Sequence, residues 1–263
     1  MDINDFQGFG FSAYRSIGEQ TVKIGPLKKI NFIIGQNNTG KSNIINYLHQ
    51  HYSYVLGKIN HAQNYSATDK STFGELDKTI GSNSGKRAAA FALDEKQLSK
   101  FIDSLISPQM DAGNKGYYTS SLKKILSTFR EENGLYWFEY HTATSRNEFI
   151  LKYDQDLLVN VLSQQEWNSL WTKLTNQTGG DFRAHWFPEV MRKLAYRPDY
   201  APRIEVIPAI RRIGESGSVS EDFSGIGIID RLAKLESPAL NERYNRDKFN
   251  KINRFVQTVL DNP

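Results

Sequence analysis

The chain has 263 residues, 39% of them hydrophobic, a formal net charge of +4 and no cysteine. That is enough for a proper core, in one large domain or two small ones, and the lack of thiols excludes disulfides, thiolate zinc sites and thiol chemistry. No stretch approaches the roughly 18 uncharged apolar residues of a membrane span, and Met1-Asp2-Ile3-Asn4-Asp5 lacks a signal-peptide core, so a cytoplasmic protein without a membrane partner is expected.

Residues 9–17 and 21–24 are short strand-like runs separated by Gly18-Glu19-Gln20, and read as a hairpin. Ile30-Asn31-Phe32-Ile33-Ile34 is apolar and rich in β-branched residues, the pattern of a third, buried strand. It runs into Gly35-Gln36-Asn37-Asn38-Thr39-Gly40-Lys41-Ser42, which fits the phosphate-loop spacing G-x-x-x-x-G-K-[ST]. Glycines there let backbone N–H groups close round phosphate oxygens, Lys41 can reach the β and γ phosphates, and the Ser42 hydroxyl can ligate Mg²⁺. A helix follows, with Ile44, Ile45, Leu48, Tyr52, Val55 and Leu56 on one face and Gly57 as its C-terminal cap. The N-terminus of that helix, aimed at the loop, favours an anion. The expected ligands are ATP and Mg²⁺.

Residues 60–87 are polar and read as a surface loop or insertion with no assigned chemistry. Residues 88–93 form a small-residue strand, and Asp94 with Gln97 is a capping box for a helix burying Leu98, Phe101, Ile102 and Leu105. A further helix is expected after Gly116, with Leu122, Ile125, Leu126 and Phe129 as its stripe and Gly134 ending it. Residues 135–140 and 149–153 look like a hairpin, and Ser163 with Glu166 caps a helix whose Trp167 and Trp171 belong to the core rather than to a base-stacking platform. Residues 203–211 read as a buried strand ending in Arg211, with Arg212 next to it; strand-exit charge of this kind is often simply solvated. The five histidines, His49, His51, His61, His141 and His185, show no metal-ligand spacing beyond one i, i+2 pair, which is read as structural.

Several of these stretches carry a resemblance. Phe11-Ser12-Ala13-Tyr14-Arg15-Ser16-Ile17, the approach from Ile24 through Pro26-Leu27 to Gly35, and Asn37-Asn38-Thr39-Gly40-Lys41-Ser42-Asn43-Ile44-Ile45 resemble the SMC/RecF/OLD group of ABC-class ATPases. Ile207-Pro208-Ala209-Ile210-Arg211, residues 222–235 and the apolar run Phe249, Ile252, Phe255, Val256, Val259, Leu260 are similar to a bacterial, AAA-family subgroup of them. The resemblance implies that Arg15 and Asn43 join residues 35–42 around the nucleotide, and that Arg211 faces the nucleotide or a phosphate-bearing partner. Asn38 departs from the glycine common there, although asparagine tolerates left-handed backbone better than most residues.

Hydrolysis in that superfamily also uses a signature sequence and an apolar run ending in Asp-Glu. Neither is convincing here: Asp230 is followed by Arg231, and the resemblance puts it on a helix. The chain therefore looks like the N-terminal part of a longer ATPase, with no catalytic acid assigned. The expected architecture is an α/β ATPase lobe with a mixed sheet, antiparallel N-terminal strands and a helical insertion, divided as residues 1–59, 60–202 and 203–263. Expected partners are a second copy or a C-terminal remainder, with a nuclease or DNA as the element controlled. Two other functions stay open: a nucleotide-gated interaction module without hydrolysis, and a P-loop kinase or GTPase of another lineage, although Asn114-Lys115-Gly116-Tyr117 lacks the acid of a guanine motif.

Overall fold

The computed structural model describes residues 6–36, 39–60, 73–79, 86–106, 112–142, 149–198, 204, 206, 225–239, 242 and 244–260. The chain divides into two compact units, Met1–Pro202 and Arg203–Pro263.

The first unit is built on a five-stranded sheet in the order β2-β1-β3-β4-β5, with β1 Phe9–Phe11, β2 Val22–Ile24, β3 Ala88–Leu93, β4 Tyr136–Thr142 and β5 Phe149–Leu151. Every pairing is antiparallel, so the mixed sheet expected from the sequence is not what these strands form. The N-terminal hairpin is present, registered with Phe9 opposite Ile24, but its first strand ends at Phe11 and not at residue 17, because Ala13 and Arg15 turn the chain in left-handed backbone; the hairpin of β4 and β5 is present too, with Tyr140 opposite Leu151. Strands from the first 59 residues and from the stretch after residue 60 thus share one sheet. The strands come close at Gly10, where an added Cβ would lie 2.9 Å from the Val22 carbonyl oxygen and 3.0 Å from the Ala90 Cβ.

One face of the sheet is aromatic. Phe9, Phe91 and Phe138 stand opposite one another in the register, and Phe11 stacks on Tyr47 at 4.0 Å between centroids. Tyr47 belongs to α1, Lys41–Gln50, and Tyr52, on α2, Tyr52–Asn60, meets both Phe9 and Phe91 edge-on. Offset and edge contacts of this kind add about 0.5–1.5 kcal/mol per pair beyond the area they bury. The single long helix expected after the loop is therefore two, broken at His51, and Gly57 lies inside α2 rather than capping it. Its buried residues are Tyr47, Tyr52, Val55, Leu56 and Ile59, while Ile45 is exposed.

The capping boxes are formed as expected. Asp94 accepts from the Gln97 N–H at the start of α3, Glu95–Leu105, and Ser163 accepts from the Glu166 N–H at the start of α6, Gln164–Thr175, with α4, Ala112–Ser127, and the short α5, Gln155–Val159, between them in the chain. α4 begins ahead of Gly116 and buries Leu122, Ile125 and Leu126 completely. Trp167 and Trp171 are core residues. A π-helical turn, Phe182–Trp186, leads into α7, Phe187–Leu194, and the Trp171 indole N–H donates to Glu189 on it at 2.9 Å.

In the second unit, α8, Gly225–Glu236, packs on α9, Asn245–Leu260. The strand expected over 203–211, together with Arg211 and Arg212, lies outside the described residues apart from Ile204 and Val206.

Candidate phosphate-binding site

The largest departure from the sequence reading lies just before the loop. Residues 30–34 form no strand; Ile30, Phe32 and Ile34 are 73%, 84% and 90% exposed. Two physical reasons are visible. The Asn31 side chain accepts from the Lys28 N–H at 2.9 Å and donates to the Lys28 carbonyl at 2.6 Å, closing a local turn that competes with strand formation. No strand among the described residues pairs with the segment, and an isolated run of high β propensity has no ladder to join.

The loop itself folds back on its own backbone. Asn37 and Asn38 lie outside the described residues. The Thr39 hydroxyl donates to the Gln36 carbonyl at 2.8 Å and stands 3.0 Å from where a Cβ on Gly35 would be, so a side chain there would have to push it aside. Gly40 is the N-cap of α1 with φ 90°, a left-handed conformation that costs other L-residues about 1–2 kcal/mol. Lys41 reaches back across the loop, its Nζ donating to the Gly35 carbonyl at 2.7 Å and to that of Gln36. The first intrahelical bonds run from the Asn43 and Ile44 N–H groups to the Gly40 carbonyl, at 2.9 and 3.2 Å. The N–H groups of Lys41 and Ser42 precede them, at the positive end of the helix dipole, and the first turn holds no acidic residue. Ser42 is exposed beside them.

The turn carrying Arg15 touches this loop through its neighbour. The Asn43 amide donates to the Ser16 hydroxyl at 2.8 Å, and a Cβ on Gly40 would stand 3.1 Å from the same oxygen. Arg15 itself is turned towards Asp77. Its Nε and Nη2 both lie 3.0 Å from Asp77 Oδ1, its N–H donates to the Asp77 carbonyl at 3.1 Å, and its guanidinium lies 5.0 Å from the centre of the Tyr14 ring. Ala13 and Arg15 both take left-handed backbone, at φ 52°.

Asp77 sits on a 3-10 turn, Glu75–Asp77, and is buried. Burial alone would raise its pKa; the Gly74 N–H at 3.0 Å and the Arg15 guanidinium overcome it and hold the carboxyl below its ordinary value. Its other oxygen is 3.5 Å from Nε2 of buried His51, which stacks on Phe73 at 4.1 Å. Burial depresses the His51 pKa despite the carboxylate, with Arg15 and Arg87 acting in the same sense. Asp77 carried no sequence signal, because it is 62 residues from Arg15 in a polar stretch without periodicity. Ser16 had one, its place beside Arg15 in the quoted strand motif.

A second charged cluster lies on the opposite sheet face, in a cavity of about 380 Å³ floored by Trp137. Lys23 bridges Glu131 at 2.5 Å and Glu139 at 3.0 Å. Glu139 also accepts from Thr21 at 2.8 Å, lies 2.6 Å from His141 Nε2, and is held down at about 2, its partners outweighing its burial. Each charge there is already answered, which describes a cross-strand brace.

Among the described residues no group of His, Asp or Glu side chains is placed to hold a metal ion, and no helix is long and apolar enough to cross a membrane. The chain matches no family model and no curated protein.

Proposed function

We propose that this chain is the ATP-binding part of an SMC/RecF/OLD-like, P-loop ATPase, in which ATP gates dimerisation and so controls a DNA-directed or phage-defence partner. The observation that supports it is the loop geometry: left-handed Gly40 caps α1 while Lys41 folds back over the Gly35 and Gln36 carbonyls, so one ammonium and the first helical N–H groups converge on the same short span. That donor set suits a polyphosphate, since it offers backbone N–H groups, a helix dipole and a fixed positive charge without a competing carboxylate. Lys41 would leave the carbonyls for the phosphates, and Ser42 would hold Mg²⁺ through its hydroxyl. Mg²⁺ there would neutralise phosphate charge. Asn43, hydrogen-bonded to Ser16, fixes the first turn against the hairpin.

Titration with a fluorescent ATP analogue tests this. Lys41→Ala is expected to remove most of the affinity, and Ser42→Ala chiefly its Mg²⁺-dependent component; unchanged binding by Lys41→Ala sinks the proposal. Turnover by this chain alone is expected to be slow, because no assigned acid orients water, a role worth orders of magnitude in rate. A phosphate-release assay showing brisk turnover that Lys41→Ala abolishes would place a catalytic acid within these residues. A nucleotide-binding module without hydrolysis is the second reading. It is favoured by the position of Asp230 within α8, where a helix and not a strand end carries the nearest candidate acid.

A further inference from the structure

One turn holds α1 at both ends. Ala13 and Arg15 take left-handed backbone at φ 52°, which residues with a Cβ keep only where their surroundings over-determine it. At the N-terminal end of the helix, the Ser16 hydroxyl accepts from Asn43 at 2.8 Å and lies 3.1 Å from where a Cβ on Gly40 would be. At the other end the Arg15 N–H donates to the Asp77 carbonyl at 3.1 Å, and the Thr79 hydroxyl donates to the Ile17 carbonyl at 2.8 Å. The Asp77 carboxylate there lies 3.5 Å from His51, the C-cap of α1.

Arg15 stands between two demands. Its side chain, 32% exposed, closes on Asp77 Oδ1 with both Nε and Nη2. Its Cα is one residue, about 3.8 Å, from that of Ser16, which touches Gly40 where the first N–H groups of α1 are free. A guanidinium held on Asp77 is withheld from an anion at that terminus. The carboxylate itself faces more than one cation: Arg87, whose guanidinium lies 3.8 Å from the centre of the Phe73 ring, feels it too. Packed on His51 are Asp77, the Phe73 ring at 4.1 Å and the Tyr14 and Tyr47 rings at 5.1 and 6.2 Å, and the charges acting on it are those of Asp77, Arg15 and Arg87. With Arg15 in place, a proton on His51 would gather three cations round one buried carboxylate; with Arg15 withdrawn, the same proton restores two.

We propose that Asp77 withholds Arg15 from the phosphate site, and that a nucleoside triphosphate bound there, by drawing Arg15 off Asp77, is linked to the uptake of a proton by His51. This rests on the phosphate-loop reading above and adds to it a coupling between the two ends of α1. Withdrawing Arg15 removes a positive neighbour of His51 and leaves Asp77 in need of a partner, so His51 holds its proton more tightly in the bound state than in the free one. Between the two pKa values binding takes up a proton. By reciprocity, affinity rises as pH falls through that window, by at most about tenfold per pH unit for one proton.

The test titrates the full chain with a fluorescent ATP analogue and Mg²⁺ between about pH 7.5 and about pH 6, and measures the heat of binding in two buffers of different protonation enthalpy. The native chain should take up protons on binding, and should gain at least about threefold in affinity over that range relative to His51→Phe, which keeps a ring against Phe73. Titration of the triphosphate itself is common to both proteins and cancels in the comparison. Asp77→Asn deletes the competitor for Arg15 and should bind about threefold or more tightly at the higher pH, a gain that a merely structural role for Asp77 would not produce. Should Asp77→Asn fail to fold, the native chain and His51→Phe decide the matter by themselves. Binding that Lys41→Ala removes, with the same proton uptake in the native chain and His51→Phe, overturns this proposal and leaves the phosphate-loop reading standing. Weaker binding by folded Asp77→Asn also overturns it, and no nucleotide binding at all overturns both.

Discussion

His51 and Asp77 make the hairpin end of α1 sensitive to acid. The His51 pKa is depressed from its ordinary 6.5, so the unfolded chain takes up this proton at a higher pH than the folded one. Its contribution to stability is full above the unfolded value and is lost as pH falls towards the depressed one. Asp77 is depressed from 3.8 and acts in the same direction in a lower window, losing its contribution as pH falls through the unfolded value to the folded one. Melting temperature should therefore drop between about pH 7 and about pH 5, and His51→Phe, which keeps a ring against Phe73, should flatten that part of the curve. Parallel slopes for the two proteins would show that His51 does not control it.

At the scale of elements, the helices are set by caps that are local in sequence. Ser163 exchanges hydrogen bonds with Glu166 at both ends of the box, at 2.8 and 3.2 Å, and Asn176 ends α6 in left-handed backbone at φ 57°. Ser163→Ala should cost about 1 kcal/mol in denaturant unfolding, and Ser163→Asp should restore most of it. Such motifs are legible because the residues that satisfy the orphan N–H groups lie within one turn of them. The same locality made β3 and the hairpin of β4 and β5 readable, and part of the helical cores: Leu98 and Ile102 are buried on α3 and Leu122, Ile125 and Leu126 on α4, while Phe101 and Leu105 are half-buried and α4 ends at Ser127, before Phe129 and Gly134. α7, which the sequence analysis does not assign, carries a signal of the same local kind: Phe187, Val190, Met191 and Leu194 give it an apolar face and Pro188 stands in its first turn.

Over the whole molecule, the decisive question is what covers the segment before the loop. If Phe32 lay in a buried strand, its replacement by serine would cost about 3–5 kcal/mol. At 84% exposure, Phe32→Ser should shift the unfolding free energy by less than about 0.5 kcal/mol and reduce aggregation. A large loss of stability on chemical denaturation would mean that the segment is packed in solution.

The sequence by itself determined whatever depends on neighbours along the chain: the phosphate-loop spacing, the capping boxes, the tryptophan stripe of α6 and the first hairpin. Tertiary structure alone decided whatever depends on partners far apart in the chain. The pairing of Arg15 with Asp77 is of this kind, and so is the break between α1 and α2, where His51 packs on Phe73. The exposure of residues 30–34 makes the same point from the other side. Their composition states a preference for strand, but a strand exists only when another one offers it hydrogen bonds and a face to cover. That condition is a property of the assembled sheet and not of five consecutive residues.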